Sequence, residues 1–290
     1  MFESSSVRID VAGIPAVDGL SLTSTGGWVL ILDAPRALFE ATVGFRMVER
    51  GQLIVEGRAA RDAVKCGIVA AAPLDPPLPA RWTVREYMMW SARLAGHANS
   101  AARARASQAI DALALTLHAD TRLDRAPREA RRAVVLGAAL ATGATTLVVE
   151  DPLANLPMPP QAAAQFARAI VGALVEKRVL FFASRMLLAS PIALAADEAI
   201  FVDARHVIAQ GAPAEIAAAE RTLGLRVDGN VAAFANALRA EGARLLTASR
   251  SKPAHMTVDL CNLATRDLLR IAAATDAVVL ELRPLASAFA

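Results

Sequence analysis

Leu147-Val148-Val149-Glu150-Asp151-Pro152 is an apolar run that ends in two carboxylates and a proline. A short run of leucine and valine predicts a strand that is buried on both faces, and the proline predicts where it ends. Carboxylates at such a strand end are what a nucleotide-hydrolysing site needs to hold Mg²⁺ and to orient water. The stretch therefore indicates a parallel α/β core with the remains of such a site at its edge.

Buried strands and helices alternate on both sides of this run. Thr83 with Glu86 three residues later predicts the start of one helix, and Gly13, Pro15 and Gly19 predict turns. The apolar periodicity predicts strands at 7–11, 21–23, 28–32, 52–56, 67–70, 146–149 and 179–183, and helices at 83–94, 100–115, 127–140 and 161–175. This alternation predicts a parallel sheet covered by helices.

The pattern changes after Glu220. The expected elements are strands at 223–227, 244–248, 256–260 and 277–282, with helices at 231–240 and 264–274. Their order is βαββαβ, which is typical of a ferredoxin-like domain. We predict an α/β domain at residues 1–221, with a helical subdomain at about 80–140, and a small accessory domain at 222–290.

The composition excludes several classes of protein. The chain has 290 residues, 55% of them apolar, which is enough for one or two domains with a substantial core, and its formal charge of +3 does not suggest a nucleic-acid partner. Cys66 and Cys261 lack a C-x-x-C partner and the four histidines lack metal-ligand spacing, so we expect two reduced core thiols and no metal site. Without a signal sequence or a membrane span, the chain should stay in the cytosol.

Three segments resemble structural parts of the ATP-binding subunit of ABC transporters. They are RGQLIVEG at 50–57, WTVREYMMWSARLAG at 82–96 and DEAIFVDARHVIAQGAPAEI at 197–216. The resemblance extends over residues 5–220, and the tail resembles the small C-terminal domain of some ABC exporter ATPases. It implies a P-loop-NTPase-like ABC ATPase domain followed by a ferredoxin-like domain.

The segment in the place of the family's phosphate-binding loop lacks the required residues. Such a loop needs glycines, whose N–H groups turn inward, and a lysine, but residues 28–43 contain no glycine and the first lysine is Lys65. The degenerate slot holds Asp33, Ala34, Pro35, Arg36, Phe39 and Glu40. Asp33 and Glu40 would repel phosphate, and Pro35 has no N–H group. Arg36 is interpreted as a surface residue, with a replacement phosphate ligand as the alternative.

The other motifs implied by the resemblance are also altered. Ala71 stands in the slot of the glutamine that contacts metal and water, and Pro127, Arg128 and Glu129 replace the glycine-rich signature that clamps a γ-phosphate across a dimer. Glu150 and Asp151 reverse the family's order of two carboxylates. Arg185 replaces a phosphate-sensing histidine, and it is interpreted as a surface residue or an ion-pair partner of Glu150 or Asp151.

Trp82, Tyr87 and Trp90 lie at the start of the helical subdomain. Two interpretations of these aromatic residues remain open. They either belong to the core or line the groove in which this family receives a cytoplasmic helix of its membrane partner.

The resemblance and the altered motifs predict a pseudo-ATPase subunit of a bacterial ABC transporter or a related membrane complex. No catalytic residue is expected intact, and Glu150, Asp151 and Arg185 are vestigial candidates. No cofactor is expected; ATP and Mg²⁺ would be bound only if the chain is a divergent active ATPase that uses Arg36 with these three residues. A soluble regulatory protein that binds through its C-terminal domain is a further alternative.

The implied partners are an integral membrane subunit and either a second, intact ATPase subunit or a second copy of this chain. No nucleic acid is expected among the partners. The implied location is cytoplasmic, peripheral at the inner face of the cell membrane.

Overall fold

A computed structural model describes residues 2–218, 222–249 and 251–284. The domain boundary expected at residue 221 and the last residues of the second domain, 285–290, lie outside the described residues. No helix in the described ranges is both long enough and apolar enough to cross a membrane.

The part of the chain up to residue 218 alternates strands and helices. Its elements are β1 (Phe2–Val11), β2 (Ile14–Ser24), β3 (Trp28–Leu32), α1 (Arg36–Thr42), β4 (Arg50–Val55), β5 (Arg58–Ala59), α2 (Ala60–Lys65), β6 (Val69–Ala72), α3 (Val84–Leu94), α4 (Asn99–Ala112), α5 (Arg128–Ala141), β7 (Thr146–Glu150), α6 (Pro160–Leu174), β8 (Arg178–Ala183), α7 (Pro191–Ala195), β9 (Glu198–Val202), β10 (Val207–Gly211) and α8 (Pro213–Ala218). A short 3₁₀ helix at Thr116–His118 follows α4.

A six-stranded sheet of order β10-β9-β3-β8-β7-β6 forms the centre of this part. All neighbouring strands are parallel except β10, which pairs antiparallel to β9. Every residue of β3 and β7 is buried, because layers cover both faces of the sheet. The carboxyl ends of β3, β8, β7 and β6 meet at one edge, which we call the carboxyl edge.

An antiparallel sheet of order β2-β1-β4-β5, together with α1 and α2, covers one face of the central sheet. The turns expected at Pro15 and Gly19 are wrong, since both residues lie inside β2. Pro15 is tolerated because β2 is an edge strand. Gly19, at φ +88°, is the extra residue of a bulge between the pairs Val7–Leu20 and Arg8–Asp18.

Helices α3 to α7 cover the other face and enclose the larger hydrophobic core. The predicted start of α3 is confirmed: the Thr83 hydroxyl accepts from the N–H of Glu86 at 3.2 Å, and the Glu86 carboxylate accepts from the N–H of Thr83 at 2.7 Å. The expected core position of both thiols is wrong. Cys66 is exposed at the end of α2, and Cys261 is half-buried.

The C-terminal part has the order of elements that its sequence predicts. It consists of β11 (Thr222–Gly229), α9 (Val231–Ala240), β12 (Arg244–Ala248), β13 (Ala254–Asp259), α10 (Thr265–Ala274) and β14 (Ala277–Pro284). Its antiparallel sheet has the order β12-β13-β11-β14. Both helices pack on one face through Phe234 and Leu268. On the other face, Thr257 donates to the carbonyl of Ile208 in β10 at 3.0 Å.

Candidate functional site

The segment expected in the phosphate-loop slot begins at the carboxyl edge, between β3 and α1, and continues into α1. Asp33 turns the chain with φ +56° and donates its N–H to Ala183 at the end of β8. Helix α1 then begins at Arg36 behind Pro35, with no side-chain cap. Phe39, expected in the slot, is instead a core residue, because the helix turns it inward against Phe182 at a ring-centroid distance of 5.6 Å.

Arg36 and Glu150 form an ion pair across this slot. The distance from Nε of Arg36 to Oε1 of Glu150 is 2.9 Å, and a second guanidinium nitrogen lies 3.4 Å from Oε2. Oε2 also accepts from the N–H of Leu74 at 2.8 Å. The Glu150 side chain is 10% exposed and that of Arg36 is 59% exposed. The guanidinium therefore covers a buried carboxylate whose two oxygens are both bound by protein groups.

Asp151 points away from Glu150, towards the end of β8. It accepts from the hydroxyl of Ser184 at 3.0 Å and from its N–H at 3.3 Å. Burial raises the pKa of Asp151, although the Ser184 bonds and the charge of Arg132 oppose this rise. The two reversed carboxylates thus serve two separate sets of protein contacts.

Arg132 of α5 is a further residue of this edge, and it lies in a segment, 122–132, that is rich in arginine. It is 8% exposed and donates to the carbonyls of Asp151 and Ala154 and to the carboxylate of Asp75, each at 3.4 Å. Burial lowers the pKa of Arg132. Its guanidinium fixes the loop that follows β7.

The acidic residues of the slot also have arginine partners. Asp33 is paired with Arg283 of β14, and Glu40 lies 2.6 Å from a guanidinium nitrogen of Arg46. Burial raises the pKa of Asp33 against the charges of Arg283 and Arg185. Arg185 is exposed, and within the described part of the chain it forms no ion pair with Glu150 or Asp151. The ion-pair alternative considered for Arg185 is therefore wrong; Arg36 holds that position.

Ala71, the expected glutamine slot, lies inside β6 rather than in a loop. It pairs with Val148, and Ala72 pairs with Val149, so the loop begins only at Pro73. Strand β6 begins at Val69, later than the predicted start at residue 67, because Gly67, at φ +71°, still belongs to the preceding turn. The group of this loop that reaches Glu150 is the backbone N–H of Leu74.

The segment expected in the place of the signature, Pro127 to Glu129, lies at the start of α5. Pro127 is the N-cap residue and makes no side-chain cap, Arg128 is exposed and Glu129 is half-buried. Arg128 and Arg132 line a cleft of about 480 Å³ together with Asp75 from the loop after β6. These side chains occupy the helix entrance at which the resemblance implied glycines.

The three aromatic residues of the helical subdomain form one cluster. Trp90 meets Trp82 edge-on at a centroid distance of 5.6 Å and stacks on Tyr87 at 5.9 Å. Tyr87 packs against the core, whereas Trp82 and Trp90 are 36% and 42% exposed. The cluster is thus anchored in the core and presents two indole rings at the surface.

The turn between β9 and β10 and strand β13 bring together a group that the histidine spacing did not reveal. Ligand atoms of Asp203, His206 and His255 all lie within 4.8 Å of one another. The histidine spacing gives no sign of this group, because His255 follows His206 by 49 residues and no short spacing links them; the expectation of no metal site stays a prediction. The only local signal is the D-x-x-H pattern at 203–206.

Solved structures share this fold at low sequence identity. No family model matches the chain, and no curated protein matches it. A structure titled as the ATP binding subunit of an ABC transporter has 13% identity, a TM-score of 0.61 and coverage of 74% of this chain and 91% of its own.

Two further structures give the same result. CbiO1 from Clostridium perfringens, described as part of the ABC transporter complex cbiONQ, has 16% identity, a TM-score of 0.63 and coverage of 75% and 90%. MJ1267, an ATP-binding cassette of an ABC transporter, has 16% identity, a TM-score of 0.63 and coverage of 74% and 92%. The predicted α/β fold is confirmed: the chain contains a domain that shares the fold of these ATP-binding subunits.

Proposed function

We propose that this chain is a non-hydrolysing subunit of a bacterial ABC transporter or a related membrane complex, with its ATPase-type fold retained for assembly. The ion pair between Arg36 and Glu150 carries the proposal. In an active site of this type, the carboxylate at the position of Glu150, at the end of the strand equivalent to β7, binds Mg²⁺, and the phosphate loop binds the γ-phosphate. In this chain the guanidinium of Arg36, which comes from the position of the phosphate loop, neutralises that carboxylate instead.

The surrounding groups support the same conclusion. A phosphate needs several inward N–H donors and a cation. Pro35 supplies no donor, Asp33 adds negative charge and Arg283 is engaged with it. Arg36 would have to leave a buried carboxylate in order to bind phosphate, and that carboxylate would lose its only ion-pair partner among the described residues.

Calorimetry at millimolar Mg-ATP tests the absence of nucleotide binding. We expect no magnesium-dependent heat for the wild-type chain or for Arg36→Ala, since removal of Arg36 restores neither glycines nor a lysine. The alternative, a divergent active ATPase, predicts magnesium-dependent binding that Arg36→Ala weakens. Such binding would refute the pseudo-ATPase proposal, and an intact ABC ATPase serves as the positive control.

The exposed part of the aromatic cluster supports an integral membrane subunit as the principal partner. Indole rings anchored in a core and open to solvent are typical of the centre of protein interfaces. Docking there would keep the chain at the cytoplasmic face of the membrane. A second ATPase subunit, or a second copy of this chain, would complete the assembly.

Co-expression with the multi-span membrane protein of a neighbouring reading frame tests this partner. Trp90→Ala should reduce co-purification in mild detergent by about tenfold or more, as for an interface hot spot. Leu117→Ala is the control, because Leu117 is 94% exposed and lies outside the cluster. Failure of the wild-type chain to co-purify would favour the remaining alternative, a soluble regulatory protein.

A further inference from the structure

Asp203, His206 and His255 face one another where the β9–β10 hairpin meets the C-terminal sheet. Nδ1 of His255 lies 2.9 Å from Oδ2 of Asp203, and Nδ1 of His206 lies 3.8 Å from Oδ1. The two imidazole rings are 4.3 Å apart between centroids. The two nitrogen-to-oxygen distances are below the roughly 4.4 Å that two ligand atoms at about 2.2 Å from one ion can span.

The backbone fixes the carboxylate of this cluster. Oδ1 of Asp203 accepts from the N–H groups of Arg205 at 2.6 Å and His206 at 2.7 Å, and the N–H of Asp203 donates to the carbonyl of His206 at 3.0 Å. These bonds close the turn and direct Oδ2 towards His255. Such bonds around a ligating carboxylate are typical of metal sites.

His206 supplies an independent indication of a missing ligand. Its Nδ1 atom is buried and has no hydrogen-bond partner among the described residues. An unsatisfied buried polar atom costs about 1–3 kcal/mol, and a metal bond would satisfy it.

The cationic side chains around the cluster are already engaged with carboxylates. Arg205 lies 3.2 Å from Asp18, Arg226 lies 3.8 Å from Glu281, and Arg283 is paired with Asp33. An added cation would therefore meet no uncompensated arginine on these three sides of the cluster. The same side chains line a cleft of about 790 Å³ that gives access to the cluster.

We propose that Asp203, His206 and His255 bind one divalent transition metal ion of the zinc class. Two imidazoles and one carboxylate form a ligand set suited to Zn²⁺, and the cleft that the three residues line leaves room for water as a further ligand. Because two ligands lie on the hairpin and one on β13, the ion would join the ATPase-type domain to the C-terminal domain. Metal binding and contact between the domains would then reinforce each other.

Titration of the chelator-treated full chain with ZnCl₂ in a calorimeter tests this site. We expect one Zn²⁺ per chain, with affinity reduced at least about a hundredfold in His206→Ala and His255→Ala. This loss exceeds the usual effect of removing a group that only supports a metal ligand. His97→Ala/His118→Ala, which removes the other two histidines, is the matched control and should bind as the wild type does. Co²⁺ should give visible bands without thiolate charge transfer, since no cysteine belongs to the cluster.

His255→Asn separates a metal site from a simple contact between Asp203 and His255. Asparagine can still donate to Asp203 but is a poor zinc ligand, so the metal-free variant should melt close to the metal-free wild type. Zn²⁺ should raise the melting temperature of the wild type alone. The proposal is overturned if Zn²⁺ does not bind or does not stabilise the wild type, if both histidine variants keep full affinity, or if the His97/His118 control loses it.

Discussion

Arg283, at the end of the C-terminal sheet, forms an ion pair with Asp33, which lies 250 residues earlier at the point where β3 leaves the central sheet. The C-terminal sheet thereby contacts the segment between β3 and α1, the place where the resemblance implies the phosphate loop of an active ABC ATPase. A ligand approaching this segment would meet an existing contact between the C-terminal sheet and the central sheet.

Arg283→Ala should loosen this contact. A partly exposed ion pair contributes up to about 1 kcal/mol, so local opening should increase by up to about fivefold. Hydrogen exchange in the presence of chelator should show the change at Asp33 and in β10. Arg270→Ala, which removes an exposed partner of Glu241 on α10, should leave exchange at these positions unchanged. Equal behaviour of the two variants would contradict the assignment.

The pair of Arg36 and Glu150 should show coupling in a double-mutant cycle. Arg36→Ala alone leaves a buried carboxylate with the N–H of Leu74 as its remaining partner, which should cost about 1–2 kcal/mol of unfolding free energy. In the Glu150→Gln background the same change should cost little, because no buried charge remains. Urea unfolding of the four chains should give a coupling of about 1 kcal/mol; strictly additive effects would show that the pair has no energetic role.

The buried carboxyl of Asp151 predicts a dependence of stability on pH. Burial raises its pKa in the folded state, so the stability it contributes is complete below the unfolded pKa of about 3.9 and is lost as pH rises through the folded pKa. The unfolding free energy of Asp151→Asn relative to the wild type should therefore increase from about pH 4 towards neutrality. Asp120→Asn, which removes an exposed carboxylate, is the control and should not show this dependence on pH. The same trend in both variants would contradict the role of burial at Asp151.

Two helix glycines should respond in opposite directions to alanine. At Gly137 of α5 an added Cβ would lie 2.2 Å from the methyl carbon of Met88, whereas at Gly172 of α6 it would meet nothing within 4 Å. Gly137→Ala should lower the unfolding free energy by about 1–2 kcal/mol despite better helix propensity. Gly172→Ala should raise it by about 0.5–1 kcal/mol. Equal stabilisation of both variants would contradict the close packing of α3 on α5.

Much of the fold follows from local patterns in the sequence. The apolar runs of β3 and β7 predict strands, because strands covered on both faces consist of consecutive apolar residues. Thr83 and Glu86 predict the start of α3, because a capping box involves residues only three positions apart. The turn predicted at Gly19 is wrong because a bulge and a turn favour the same residue. The sequence does not place Phe39 in the core, because loop and helix cannot be separated until the length of α1 is known.

The sequence predicts where the candidate site lies, but it does not predict which residues contact each other there. Glu150 and Asp151 mark the carboxyl edge, yet whether Arg36 or Arg185 pairs with Glu150 depends on the path of the chain across the sheet. The partners in the key contacts are separated by 114 residues for Arg36 and Glu150, and by 250 for Asp33 and Arg283. Spacing rules for motifs do not extend to such separations.

The inward position of Phe39 has an evolutionary consequence. Reintroducing a glycine-rich loop would remove buried side chains from α1, and loss of a buried phenylalanine alone costs about 3–5 kcal/mol. Domains are stable by only about 5–15 kcal/mol. A glycine-rich loop built into α1 by single substitutions would therefore arise only through intermediates that have lost a large part of the folding free energy.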